Sequence, residues 1–85
     1  MEPILYKNFK KKFAKLSPKI QNKFYERWVI FQQNKFDPIL DNHSVDKKYP
    51  GCRSVDITGD YRAIFREEDG IAIFVNIGTH SELYK

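Results

Sequence analysis

Eighty-five residues, 15 Lys or Arg against 11 Asp or Glu, leave a net charge of +4; a chain of this length holds one core, so 1–85 reads as a single domain. One cysteine, Cys52, excludes an internal disulfide and, with no signal-peptide pattern, points to a reducing cytoplasm. No apolar run is long enough for a membrane span, so no membrane partner is expected.

Ile4-Leu-Tyr6 reads as a short edge strand. Phe9, Phe13 and Leu16 then recur at helical spacing with lysines between them. Ser17-Pro18 ends that helix and starts the next, because Ser caps an N-terminus and Pro suits the first helical position. The second helix puts Ile20, Phe24, Trp28 and Phe31 on one face and runs to about Asn34, making a helical hairpin with the first. Pro38 belongs to a connector, and 41–51 lacks periodicity and reads as a loop closed by Pro50-Gly51.

Val55 and Ile57 alternate with Ser54, Asp56 and Thr58, the pattern of a half-buried strand. Gly59-Asp60 is a reversal, Tyr61–Arg66 the next strand, and Glu68-Asp69-Gly70 a hairpin turn. Ile71–Ile77 is almost wholly apolar and reads as an inner strand covered on both faces. The expected fold is α+β: an N-terminal helical hairpin packed on a small antiparallel β-sheet.

Charge is unevenly spread. Residues 1–36 carry nine Lys/Arg against two acids, and 37–85 carry six against nine. A basic half suits a phosphate backbone or an acidic protein, or simply solvates the helices. Strand parity puts Asp56, Arg62, Asn76 and, less directly, Asp60 on the face opposite Val55 and Ile57, with His80 just beyond the last strand.

Those residue types can cleave RNA without a metal. A base takes the 2′-hydroxyl proton, an acid protonates the departing 5′-oxygen, and a cation steadies the phosphorane. Histidine titrates near neutrality, arginine grips phosphate, and aromatic rings stack on bases. His80, His43, Asp60 and Arg62 are the catalytic candidates; Tyr84, Asp56, Asn76 and Tyr61 are the substrate-binding ones. Structural roles compete at each position: His80 as a chain-end hydrogen bonder, His43 as a loop residue, Asp60 as a turn former, Arg62 as an ion-pair partner, and Tyr61 and Tyr84 as core or rim. No Gly-rich phosphate loop, HExxH or Cys pair appears, so no cofactor and no metal are expected.

At Asp41-Asn-His-Ser, Gly51-Cys-Arg-Ser, Gly59-Asp-Tyr-Arg and Ile77-Gly-Thr-His-Ser-Glu-Leu-Tyr the chain resembles the RelE/ParE toxin superfamily, most nearly its YafQ-like RelE branch. The resemblance implies a microbial-RNase-like fold, ribosome-dependent cleavage of mRNA in the A site, contacts with ribosomal RNA, and a cognate antitoxin protein. It implies catalytic roles at His43, Asp60 and His80, an aromatic role at Tyr84 and, from the wider RelE pattern, a role for Arg62. Two positions depart: the branch has a histidine where this chain has Asp56, and a last-strand arginine where it has Asn76. The alternatives it leaves are a ParE-like gyrase inhibitor without nuclease activity and a catalytically weakened RelE relative.

Overall fold

The computed structural model describes residues Met1–Lys85. In chain order the elements are β1 (Ile4–Leu5), α1 (Lys7–Ala14), α2 (Pro18–Gln33), a 3₁₀ turn (Pro38–Leu40), β2 (His43–Ser44), β3 (Cys52–Asp56), β4 (Tyr61–Glu68), β5 (Ile71–Thr79) and α3 (His80–Leu83). The strands form one sheet in the order β1-β5-β4-β3-β2.

The helical hairpin forms as its sequence demands. Ser17 Oγ accepts the Ile20 N–H at 3.4 Å, with Pro18 at the first turn, so a donor that the helix cannot satisfy internally is met by a side chain. Gln21 ties the two helices by donating to the Phe13 carbonyl at 2.9 Å. Both lie on one face of the sheet, where Phe9, Phe24, Phe65 and Phe74 are essentially inaccessible. Their rings meet edge-on or tilted, with Phe24–Phe74 at 5.3 Å and Phe31–Phe65 at 5.1 Å between centroids. That geometry suits aromatic quadrupoles and adds about 0.5–1.5 kcal/mol per pair beyond burial.

From β2 to β5 every pairing is antiparallel, while β1 runs parallel to β5 at the sheet edge. The parallel pair is the departure from the expected all-antiparallel sheet. No tight turn joins β1 to its neighbour, so nothing local dictates its direction. The β4–β5 hairpin, by contrast, closes through Asp69 and Gly70, both at positive φ (51° and 78°), the two-residue geometry that matches strand twist.

A register shift lies between Ile64 and Phe65: Ile64 pairs with Asn76, but Phe65 pairs with Phe74. Val75 is therefore the extra residue of a bulge. It lets Phe74 and Ile77, three positions apart, both enter the helix-side core, while Val75 packs on the other side.

That other side has its own small core of Val45, Cys52, Ile64 and Leu83, flanked by Tyr49, Val75 and Tyr84. The segment 41–51, expected to be an unstructured loop, instead contributes β2 and then folds over the sheet. Two residues are too few to show a period, and the covering contacts are made at a distance in sequence. Tyr49 fastens the arrangement by donating its hydroxyl to the Leu83 carbonyl at 2.7 Å.

Candidate active site

A cleft of about 590 Å³ opens where β2, the loop after it, β4 and α3 meet, and His43, Arg62, His80 and Tyr84 all line it. Each reaches it for a local reason. His43 sits on the edge strand opposite Ser54. Its Nδ1 lies 2.7 Å from the Asp41 carbonyl oxygen, and Asp41 itself is held in the left-handed region at φ 46° after the 3₁₀ turn. A carbonyl only accepts, so Nδ1 carries the proton and Nε2 of the neutral ring holds the free lone pair.

His80 is the first residue of α3. Thr79 caps that helix reciprocally: its Oγ1 accepts the Glu82 N–H at 3.2 Å, and Glu82 Oε1 accepts the Thr79 N–H at 2.7 Å. The backbone and side-chain bonds to Thr79 hold the Glu82 carboxyl below its usual range. One turn on, the Tyr84 ring lies 4.7 Å from the His80 ring, tilted by 33°. Burial pushes the Tyr84 phenol up, the nearby Tyr49 adds to this, and Arg62 opposes it.

Arg62 stands directly across from Asp56 on β3, with Nε 3.3 Å from Oδ1. Burial raises the Asp56 carboxyl above its ordinary value, and the Arg62 guanidinium is the largest influence pulling it back. Asp60 belongs to the reversal before β4. Its carbonyl accepts the His80 N–H at 3.3 Å and Arg62 Nη1 at 3.5 Å, so its main chain links the two cleft residues while its side chain stays exposed.

No family model matches the sequence, and no curated protein matches it significantly. Solved structures do. Escherichia coli YafQ superposes with a TM-score of 0.78 over 99% of this chain and 98% of its own, at 20% identity. YafQ in the E. coli DinJ–YafQ complex gives 0.76, with 99% and 98% covered at 22% identity. A chain of the RelB–RelE antitoxin–toxin complex of Methanococcus jannaschii gives 0.74, with 95% and 94% covered at 17% identity. The chain has the RelE/YafQ toxin fold.

On that fold, four of the eight residues singled out in the sequence line the cleft and four do not. Asp56 serves as the partner of Arg62, and Asp60 acts through its carbonyl. Asn76, from the expected face, accepts Lys12 Nζ at 2.8 Å and donates toward the Tyr49 hydroxyl at 3.5 Å, away from the cleft lining. Tyr61 is a correction. One position from Arg62, it points to the opposite face and packs against the helix-side core, so it offers no surface to a cleft ligand.

Two lining cations escaped the sequence reading: Lys47 and Lys48, in the loop after β2. The signal was a Lys-Lys pair four residues past His43, but without a fold nothing says that the loop turns back over the sheet. No group of three or more His, Cys, Asp or Glu side chains is arranged to hold a metal. A second groove, of about 500 Å³, lies between Ile4, Trp28, Phe31 and Ile71. Its Lys35 and Glu67 are paired with each other at 2.9 Å, and it contains no histidine. No helix is long and apolar enough to cross a membrane.

Proposed function

We propose that this protein is the toxin of a type II toxin–antitoxin system, a metal-independent endoribonuclease that cuts mRNA in the ribosomal A site. One observation carries the reading: two imidazoles, a guanidinium and an aromatic ring, from distant parts of the sequence, share one cleft. The RelE/YafQ fold supports it. His43, with Nδ1 engaged by the Asp41 carbonyl, accepts the 2′-hydroxyl proton at Nε2. The 2′-oxygen attacks phosphorus, and the bond to the 5′-oxygen breaks as His80 protonates that leaving atom, giving a 2′,3′-cyclic phosphate and a 5′-hydroxyl. Arg62 holds the scissile phosphate, Asp60 sets the positions of His80 and Arg62, and Tyr84 stacks on a base.

The lysines of α1 and α2 suit ribosomal RNA, whose phosphates would make that affinity sensitive to salt. The partner protein is a cognate antitoxin, acidic where it meets the basic helices and covering the cleft; the solved DinJ–YafQ and RelB–RelE complexes are toxin–antitoxin pairs of this fold. The test is mRNA cleavage in a translating extract by the wild type and by His80→Ala. Cleavage by the first alone is expected; equal cleavage by both removes His80 from the chemistry. A gyrase-inhibiting toxin is the second reading, favoured by Asn76, which brings no charge to the cleft. Growth arrest with intact mRNA and a DNA-damage response would select it.

A further inference from the structure

The reaction builds negative charge on the non-bridging phosphate oxygens, and positive charge placed beside them stabilises it. Three permanent cations line this cleft: Arg62, Lys47 and Lys48. Arg62 is already engaged, 3.3 Å from the Asp56 carboxylate on the facing strand. Lys48 Nζ lies 3.3 Å from the main-chain oxygen of Lys85. The cation on Asn76 is Lys12, which is absent from the lining. Among the lining cations, Lys47 alone has an ammonium free of any hydrogen bond or ion pair. Its neighbour Asp46 does not neutralise it at short range: Asp46 Oδ1 accepts the Gly51 N–H at 2.6 Å, closing the loop.

We propose that Lys47 is the phosphate-contacting cation of the cleft, taking the charge that Arg62, shared with Asp56, meets only in part. The proposal rests on the ribonuclease reading for its catalytic half, while its binding half needs only that RNA enters the cleft. Lys47 lines the same cleft as His43, so its ammonium would meet the phosphate that His43 activates. Being an exposed loop side chain, Lys47 can be replaced without disturbing either core.

Two measurements test it. In a translating extract, Lys47→Ala should lower kcat for mRNA cleavage about tenfold or more with KM little changed, and Lys47→Arg should recover most of the loss. The second uses a short single-stranded 2′-O-methyl RNA, which has no attacking hydroxyl. The slope of log affinity against log salt should fall by about 0.7 in Lys47→Ala and return in Lys47→Arg. An unchanged slope together with unchanged kcat overturns Lys47 and leaves the nuclease reading standing. A reduced slope in a protein that cuts no mRNA overturns the nuclease reading and keeps Lys47 as a phosphate contact. Failure of the wild type both to bind this RNA and to cut mRNA in the extract overturns both.

Discussion

The Tyr84 ring centroid lies 4.7 Å from that of His80; the proposed acid opens the short helix α3 and the proposed base-stacking platform caps its end. A nucleobase resting on Tyr84 would hold the leaving oxygen at a fixed reach from the imidazole. Tyr84→Ala should therefore reduce mRNA cleavage by the equivalent of about 1–3 kcal/mol, the usual stacking contribution, whereas Tyr84→Phe should retain most activity. Comparison of cleavage rates for the two variants checks this; equal losses would assign the role to the hydroxyl instead.

The wall of the cleft depends on Tyr49. Its hydroxyl donates to the Leu83 carbonyl at 2.7 Å and accepts from Asn76. Tyr49→Phe keeps the packing and removes the bonds, so it should cost about 0.5–1.5 kcal/mol. Faster amide exchange should appear at Leu83 and Tyr84 before it appears in β4. Denaturant unfolding and hydrogen exchange on the same samples measure both effects.

Asp56 supplies a pH prediction. Its folded carboxyl titrates above its ordinary value because of burial, with Arg62 opposing the shift. Arg62→Ala should move the midpoint further up, which NMR titration of the Asp56 carboxyl would register. The stability linkage has a definite sign. Relative to Asp56→Asn, the wild type is favoured most below the unfolded carboxylate value of about 3.9. It loses that advantage as pH rises through the higher folded value. Stability differences between the two proteins, followed by denaturant unfolding from acid toward neutral pH, should fall across that window.

Phe74 lies where both helices meet the sheet, with ring contacts to Phe9, Phe24, Trp28, Phe31 and Phe65. Phe74→Ala should cost about 3–5 kcal/mol, a large share of the total available to a small domain. A lowered thermal midpoint, or an unfolded chain at room temperature, is the expected result in calorimetry or circular dichroism.

The helical hairpin was legible because two independent signals agreed: the Ser17-Pro18 start and the spacing of Phe24, Trp28 and Phe31. The β4–β5 hairpin was equally plain, since Asp69-Gly70 permits the positive φ values the turn uses. Strand parity put Asp56 and Arg62 on one face, and the structure pairs them there, but parity is a local property. The bulge at Val75 was invisible, and the second core is assembled from Val45, Cys52, Ile64 and Leu83, residues with no shared period. Lys47 was missed for the same reason: its importance comes from where a loop lands. Tyr61, named as a substrate-binding candidate, lies one step along the strand from Arg62 and so falls on the opposite face, against the helix-side core.

The sheet separates the aromatic, helix-side interior from the small cluster beneath the cleft. Durability and reactivity thus occupy different compartments of an 85-residue chain. Mutational drift under α3 can reshape what the cleft accepts while the phenylalanine side keeps the molecule folded, leaving a descendant free to change its target without first inventing a new scaffold.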